Sequence, residues 1–285
     1  MIGQVIFNSL TLGLIYALIA SGFTLVFGVT HIINFAHGEL YMVGAMMMYV
    51  FYAAIGMPFL IALVLSASIS TIIGIILERF IIRRIRGGEA LRVLALTIGA
   101  QLIIMTGVLI LFGPMDKAVP SVITGLIRVS NITMPVERII VVMASIIIMF
   151  GLFSFLKFTK KGQAMRAIAS DPEASALQGI NVNSMYTLSM GIGCLLAGAA
   201  GALMAPILPV NPFVGPHATI YAVLVVCVAG LGNVPGAIVG GLMLGLVENL
   251  SCSLLGGGYS EVISYGFVLV LLIFRPEGLF AKKQT

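Results

Sequence analysis

The chain has 285 residues, a formal net charge of +5 and an apolar composition, with 60% hydrophobic and 9% charged residues. The charged fraction of 9% excludes a compact soluble domain, because such domains carry roughly 25% charged residues. The mean hydropathy of +1.16 points the same way. The composition indicates a polytopic membrane protein. Since the basic residues fall mainly in loops between apolar runs, the net charge does not imply nucleic acid as a partner.

The apolar runs, taken in chain order, predict the membrane segments, because a span needs roughly 20 apolar residues. The runs lie at 5–29, 40–54, 59–77, 91–112, 139–156, 185–208, 217–231, 237–250 and 262–274. Polar breaks interrupt the pattern at 30–39 and at 232–236. Segments at these breaks could cross the bilayer or re-enter it. We therefore expect an all-α polytopic membrane protein with about eight or nine transmembrane segments.

Lysine and arginine residues are distributed unevenly between the loops. Five lie within 79–92, four within 157–166 and three within 275–283. Because positively charged loops stay in the cytoplasm, counting the crossings between these clusters places all three on the cytoplasmic side and the N-terminus outside.

The two halves of the chain resemble each other, which indicates paired broken helices. Each half has an apolar run, a polar break and then a glycine-rich apolar run. Unwound backbone is tolerated at membrane depth only where it lines a cavity or is buried in protein, so paired breaks point to a transport pathway. The alternative for each break is an ordinary loop at the membrane surface. We predict a single transmembrane domain over 1–285, with a first half of about 1–157, a cytoplasmic loop at 158–184 and a second half at 185–285.

The breaks supply the candidate pathway residues. These are Asn34, His37, Gly38 and Glu39 in the first break, and Asn233 and Gly236 in the second. His37 and Glu39 could form a proton relay or a metal pair, but two residues alone make a weak metal site. They could equally be an interfacial histidine and glutamate. We predict a polar route at the breaks and no metal site.

The loop at 157–184 is the longest polar stretch, and it contains the signature of a helix of about two turns. Asp171 can cap the N-terminus, Pro172 suits the first helical position, and Glu173 favours the positive helix start. Gly179 can supply the left-handed stop at the C-terminus. A short capped helix between membrane spans indicates a contact for a partner on the cytoplasmic side.

Motifs for other mechanisms are absent from the sequence. It contains no GxxxxGK[ST] phosphate loop and no HExxH or GxSxG motif. Acidic residues are nearly absent from the span interiors, whereas carriers driven by protons or sodium usually need them. We expect no enzymatic activity and no cofactor. The energy for transport must come from another subunit, or the chain is a passive channel or secondary carrier for a small neutral solute. A structural membrane subunit would leave the paired breaks unexplained.

Short motifs along nearly the whole chain carry a resemblance to a known family. They are NFAHGE at 34–39, RAIA at 166–169, DPEA at 171–174, GINV at 179–182, GAAG at 198–201, GLGN at 230–233 with PG at 235–236, and RPEGLF at 275–280. In this order they resemble the permeases of ATP-binding-cassette (ABC) importers for branched-chain amino acids. The length is similar to that of the shorter, LivH-type, permease of the pair.

The resemblance implies a function and a set of partners. It implies that the chain lies in the lipid bilayer of the bacterial inner membrane and imports leucine, isoleucine or valine across it. A second homologous permease subunit completes the pore, two cytoplasmic ATPase subunits drive it, and a periplasmic solute-binding protein delivers the cargo. Importers of urea and short amides use similar permeases, so the resemblance leaves the cargo open.

The resemblance also implies that the helix in the cytoplasmic loop docks on an ATPase. The implied coupling residues are Arg166, Asp171, Pro172, Glu173, Ala174 and Gly179. Glu173 to Gly179 is similar to the EAA-xxx-G motif of importer permeases. Ser175 stands where that motif has a second alanine, and the later Ile-x-Leu-Pro of the motif does not follow at the expected spacing.

Overall fold

The computed structural model describes residues 2–86, 88–123, 125–129 and 132–280. Within these residues the chain is almost entirely helical, as the long apolar runs predict. The elements in chain order are α1 (Ile2–Thr30), α2 (His37–Met48), a π-helical extension of α2 (Tyr49–Ala54), α3 (Phe59–Leu77), a π-helical extension of α3 (Glu78–Ile82), α4 (Arg83–Ile85), α5 (Ala90–Phe112), β1 (Leu126–Val129), β2 (Ile132–Pro135), α6 (Val136–Phe158), α7 (Lys160–Ser170), α8 (Pro172–Leu177), α9 (Val182–Met204), α10 (Val214–Ala229), α11 (Val234–Leu255) and α12 (Gly257–Phe274).

Seven helices in the described part of the chain are long and apolar enough to cross a membrane. They are α1, α3 with its extension, α5, α6, α9, α11 and α12. The protein is therefore an all-α polytopic membrane protein. α10 is apolar, but its 16 residues are fewer than the roughly 20 that a typical span needs. α2 has 12 residues and a π-helical extension of six, so these two helices stand apart from the seven.

The long loop between α5 and α6 holds a β-hairpin that the sequence analysis did not predict. β1 and β2 pair antiparallel, with Leu126 opposite Pro135 and Val129 opposite Ile132. Strands of four residues are too short to show a clear alternation of apolar and polar side chains. Earlier in the loop, the Lys117 amide donates to the Val210 carbonyl at 2.8 Å. The loop is thereby attached to the segment between α9 and α10.

α1 lies at the centre of the bundle and is almost wholly buried after its first ten residues. α11 packs against it in the antiparallel direction, because Gly241 lies beside Ala17 while Gly245 lies beside Gly13. A Cβ atom on Gly241 would come within 2.8 Å of the Ala17 Cβ. Glycines at four-residue spacing let the two backbones approach this closely.

We call the two ends of the bundle the Ile2 end and the Thr30 end, after the termini of α1. At the Ile2 end, Arg138 in the first turn of α6 donates a hydrogen bond to the side-chain oxygen of Asn8. At the Thr30 end, α7 packs against α1 and α9. α8 follows α7 directly, so the predicted coupling helix lies at the Thr30 end.

Candidate functional site

The first break, as the structure has it, covers residues 31–36, because α2 already begins at His37. The predicted break of 30–39 was therefore too long. The Asn34 side chain accepts a hydrogen bond from the Ala36 amide at 3.1 Å, and the Asn34 carbonyl accepts one from the His37 amide at 3.2 Å. These bonds start the helix earlier than the polarity of the sequence indicates.

The first break runs back along α1 towards the middle of that helix. His37 Nε2 lies 3.2 Å from the carbonyl oxygen of Ile19, and its ring meets the edge of the Phe23 ring at 5.5 Å. Ile19 precedes the end of α1 at Thr30 by 11 residues, or about 16 Å at the helical rise. α2 therefore begins beside the middle of α1, and not at its end.

The polar residues of the first break join α2 to α10. The Gly38 amide donates to the Thr219 hydroxyl at 3.1 Å, and this hydroxyl lies 3.1 Å from the Phe35 carbonyl. The side chain of Glu39 is fully buried. It lies so close to Gly215 that any Cβ atom there would overlap with the carboxyl group. Four predicted pathway residues thus lie in one packed cluster.

The second break covers residues 230–233, because Asn233 caps α11 and Gly236 lies inside that helix. The Asn233 side chain accepts a hydrogen bond from the Gly236 amide at 3.0 Å and donates one to the Phe280 carbonyl at 2.7 Å. The predicted break of 232–236 was therefore placed too late. Asn233 acts here as an N-cap, for which asparagine is strongly preferred.

His37 and Asn233, one from each group of predicted pathway residues, lie at different heights along α1. A Cβ atom on Gly28 would be 3.3 Å from the Cα atom of Gly232, which places the second break near the Thr30 end. Ile19, beside the first break, is nine residues away from Gly28, or about 13 Å along the helix. The structure therefore does not bring the two predicted groups of pathway residues together.

Two cavities lie at opposite ends of α1. The first, at the Ile2 end, has a volume of about 310 Å³ and is bordered by residues from Asn8 to Ile19 of α1. The second, at the Thr30 end, has a volume of about 1290 Å³ and is bordered by residues from Thr24 to His31. The middle of α1 separates them, with Phe23 buried there. The residues of α1 between Ile19 and Thr24 border neither of the two cavities.

The predicted pathway residues have different relations to these cavities. Asn34, His37, Gly38 and Glu39 border neither of the two. Asn233 borders the second cavity, whereas Gly236 does not. Among the predicted pathway residues, only Asn233 therefore borders a cavity, although the first break also reaches the second cavity through His31.

The cytoplasmic loop predicted at 158–184 contains two helices instead of one. α7 was not predicted, and its N-terminus is capped by Thr159, whose hydroxyl accepts a hydrogen bond from the Gly162 amide at 3.0 Å. Arg166 lies on α7, donates to the Leu156 carbonyl of α6 and borders the second cavity. Arg166 therefore makes a contact within its own chain, to the end of α6.

α8 is the capped helix that the sequence predicts. The Asp171 carboxylate accepts hydrogen bonds from the amides of Glu173 at 2.9 Å and Ala174 at 3.0 Å, and Pro172 occupies the first turn. Gly179 follows the helix with φ +83°. These local predictions are confirmed. The role of the helix in coupling stays a prediction.

The exposed side of α8 carries one large apolar side chain. Leu177 is 91% exposed, and it is surrounded by small or polar exposed residues of the same helix. Ser175, by contrast, is buried and donates to the Asp171 carbonyl at 2.7 Å. The sequence analysis did not single out Leu177, although a leucine in a small polar helix was a signal for it.

A buried ion-pair cluster fastens α9, which follows α8, to the end of α3. The Glu78 side chain is fully buried, and its carboxylate lies 3.1 Å from Arg83 Nη2 and 2.9 Å from Arg86 Nη2. The Thr187 hydroxyl of α9 lies 2.8 Å from the same carboxylate. The Arg86 guanidinium also stacks over the Tyr186 ring at 3.8 Å. The cluster was not predicted, because Tyr186 and Thr187 are distant in the chain from Glu78, Arg83 and Arg86.

The described residues contain no group of three or more histidine, cysteine, aspartate or glutamate side chains that could hold a metal ion. The described cysteines are free, and Cys194 is buried. The site that the structure offers therefore consists of the two cavities, the packed region between them and the α8 helix.

Comparisons with known proteins identify the family of the chain. Residues 5–275 match the family described as "Branched-chain amino acid transport system / permease component". The chain is 32% identical to the high-affinity branched-chain amino acid transport system permease protein BraD of Pseudomonas aeruginosa, over 99% of this chain and 96% of that protein. It is also 32% identical to LivH of Escherichia coli, a permease protein of the same description, with the same coverage. A shorter match, 34% identical over 40% of this chain, is to the fructose import permease protein FrcC of Rhizobium meliloti. No solved structure matches the chain.

Proposed function

Because the chain belongs to the family of branched-chain amino acid transport system permease components, we propose that it is the permease subunit of an ABC importer for leucine, isoleucine and valine. The observation that carries this proposal is the match of nearly the whole chain to BraD and LivH. In this proposal the chain lies in the bacterial inner membrane. It works with a second homologous permease, two cytoplasmic ATPase subunits and a periplasmic binding protein.

The proposed orientation puts the Thr30 end in the cytoplasm and the Ile2 end outside. It is supported by the lysines and arginines of 157–166, which lie on α7 and the adjoining end of α6, because positive residues favour the cytoplasmic side. In this orientation α2 with its extension and α10 are two further membrane segments, which together with the seven long helices make nine. The two breaks then separate α1 from α2 in the first half and α10 from α11 in the second half.

The two cavities are, in this proposal, the outer and inner parts of one transport route. The outer cavity at the Ile2 end receives the amino acid from the binding protein, and the inner cavity at the Thr30 end releases it. The packed region around His37 and Phe23 closes the route between them. A transporter that never opens both sides at once needs a closure of this kind, and its middle position suits alternating access.

The proposed drive for this route enters at α8. An ATPase subunit holds the exposed side of α8, with Leu177 as the apolar anchor and Glu173, Ala174 and Gly179 around it. Movement of α8 passes to α9, which begins five residues after α8 ends. The Glu78 cluster then carries the movement to α3. ATP binding in the partner changes the equilibrium between two arrangements of these helices, and this coupling needs no chemistry in the chain itself.

The test of the proposal is transport by the reconstituted importer. The chain is purified with its partner subunits, inserted into vesicles and supplied with the binding protein, ATP and radiolabelled leucine. Uptake that requires both ATP and the binding protein is the expected result. Equal uptake without ATP by the chain alone would support the alternative, a passive channel or secondary carrier.

A second candidate cargo belongs to the same transport mechanism. The match to a fructose import permease shows that related sequences occur in importers with other cargo, and the sequence left urea and short amides open. Competition of unlabelled urea, acetamide and leucine for uptake separates these possibilities. We expect competition by leucine, isoleucine and valine alone.

A further inference from the structure

A group of polar side chains outside the two breaks borders the cavity at the Ile2 end. At its centre is Glu248 of α11, whose carboxylate accepts a hydrogen bond from the Tyr16 hydroxyl at 2.8 Å. The Tyr16 ring in turn stacks on Tyr221 of α10, with ring centroids 4.5 Å apart. Three helices therefore hold the Glu248 carboxylate at the edge of the cavity.

A cationic side chain borders the same cavity. Arg138 of α6 is half-buried, and its guanidinium donates to the side-chain oxygen of Asn8. Both residues border the cavity. A guanidinium that is anchored on one side by a neutral amide keeps further N–H donors for an anion, since arginine has five.

Glu248 and Arg138 meet the cavity at a similar height along α1. Gly245 of α11 packs between Ser9 and Gly13 of α1. Because α11 runs antiparallel to α1, the backbone of Glu248 lies three residues, or about 4.5 Å, closer to the Ile2 end than the backbone of Gly245 does. This is the height of Asn8, which holds the guanidinium.

The rest of the wall is largely aliphatic. It includes Leu12, Ile15, Ile19, Met204, Ile207 and Leu208. The volume of about 310 Å³ lies near the lower end of the roughly 300–1,000 Å³ that small-molecule sites occupy. The cavity therefore combines one acid, one cation and an apolar surface in a space suited to a small molecule.

We propose that this cavity is a binding site for a free amino acid, recognised by both of its main-chain charges. Glu248 accepts hydrogen bonds from the α-ammonium group, Arg138 donates to the α-carboxylate, and the aliphatic wall receives a branched side chain. This inference rests on the proposed function, and it adds that the permease itself contacts the cargo. A neutral cargo such as urea has no use for the two charges.

Neighbouring charges provide a matched control. His217 also borders the cavity, and its Nε2 lies 3.2 Å from the carboxylate of Glu261 on α12. The Glu261 side chain is 52% exposed and does not border the cavity. The substitution Glu261→Gln therefore removes one acid from the same region and leaves the proposed site intact.

The experiment measures equilibrium binding of radiolabelled leucine to the purified complete importer in nanodiscs, without the binding protein. The variants are Glu248→Gln, Arg138→Gln and Glu261→Gln. The glutamine at position 248 can still accept the hydrogen bond from Tyr16, so the local fold is retained. The probes are leucine, 4-methylpentanoate, which lacks the ammonium group, and 3-methylbutylamine, which lacks the carboxylate.

We expect Glu248→Gln to weaken leucine binding about tenfold or more, as expected for the loss of one hydrogen bond to a charged group. The same variant leaves the weaker binding of 4-methylpentanoate unchanged. Arg138→Gln weakens leucine and 4-methylpentanoate but spares 3-methylbutylamine. The Glu261→Gln variant binds all three probes with the affinity of the unmodified protein.

Three results would overturn the site. They are unchanged leucine affinity in Glu248→Gln, an equal loss in Glu261→Gln, and no leucine binding by an unmodified importer that transports leucine with its binding protein. In each case the proposed function is retained, because the unmodified importer is assayed for uptake in parallel. Failure of the unmodified importer to transport leucine would overturn both the site and the function.

Discussion

The carboxylate of Glu78 and the hydroxyl of Thr187 lie 2.8 Å apart, although the two residues are 109 positions apart in the chain. Glu78 is in the extension of α3, and Thr187 is in the second turn of α9. This contact joins the helix that follows α8 to a helix of the other half of the chain. It adds a buried polar contact to the packing of α3 against α9, in which Gly74 of α3 lies beside Cys194 of α9.

The substitution Thr187→Val tests this connection. It removes the hydroxyl and leaves the ion pairs of Glu78 with Arg83 and Arg86 in place. We expect a loss of about 1.5–3 kcal/mol in stability, the usual contribution of a hydrogen bond to a charged group, and a lower ratio of leucine uptake to ATP hydrolysis in vesicles. Thr71→Val is the control, because the Thr71 hydroxyl bonds only within α3, to the Ala67 carbonyl at 2.8 Å. An unchanged ratio in Thr187→Val would show that the contact does not transmit coupling.

The exposed leucine of α8 is the proposed anchor for the ATPase. Replacing Leu177 with serine removes an apolar side chain that is 91% exposed, so the free energy of unfolding of the isolated permease should hardly change. The affinity for the ATPase should fall, because burial of a leucine contributes about 1.5–3 kcal/mol. Co-purification and titration of the ATPase measure this loss.

The neighbouring exposed residue Gln178 provides a control for Leu177. Gln178→Ser changes the same surface without removing an apolar group. If the Leu177→Ser variant binds the ATPase as tightly as the Gln178→Ser variant does, the proposal that Leu177 anchors the ATPase is wrong.

The left-handed glycine after α8 should be sensitive to branched side chains. Gly179 has φ +83° and no neighbouring atoms near its Cβ position, so a valine there has room but an unfavourable backbone. The strain is about 1–2 kcal/mol, and it falls on the end of α8. We expect Gly179→Val to insert into the membrane but to hydrolyse ATP with reduced uptake.

Gly56 is the matched control for backbone strain. It has φ +80° and equally open surroundings, but it lies beyond the extension of α2, away from α8. Gly56→Val should therefore carry the same strain and keep its ratio of uptake to ATP hydrolysis. Normal uptake by Gly179→Val would count against the docking role of α8.

The contact between α2 and α10 should be intolerant of even one methyl group. In Gly215→Ala the new Cβ atom would overlap with the buried carboxyl group of Glu39. Overpacking of this kind costs about 1–3 kcal/mol, which a thermal unfolding measurement of the purified permease detects. Gly266→Ala is the control, because nothing lies within 4 Å of its Cβ position.

The double variant Gly215→Ala with Glu39→Ala completes a thermodynamic cycle. Removing the carboxyl group makes room for the new methyl group, so the two losses of stability should not add. A strictly additive cycle would show that the two residues are not in contact.

Local rules account for the parts of the site that the sequence predicted well. Asp171, Pro172 and Gly179 define α8 by their own backbone preferences, which act within a few residues. The same rules misplaced both breaks by a few residues. Polarity indicated a loop at His37 and Gly236, whereas the hydrogen-bonded turn at Asn34 and the N-cap at Asn233 had already started a helix there.

The cavity residues show the other limit of sequence reasoning. Glu248 and His217 each stand alone in their own apolar run, so the sequence does not indicate that they border one cavity. Only the packing of α11 against α1 and α10 places the Glu248 carboxylate on Tyr16, 232 positions away in the chain. A pattern along one helix carries no information about which face of another helix it meets.

The sequence by itself determined that this is a helical membrane protein and that one short capped helix lies in its longest polar loop. These properties depend on hydropathy and on local backbone preferences, which are written into neighbouring residues. Tertiary structure alone decided that His37 lies beside the middle of α1, that Asn233 lies near its Thr30 end and that two cavities lie at opposite ends of α1. Those facts depend on how closely glycine-bearing helices approach, and helix packing is a property of pairs of distant segments.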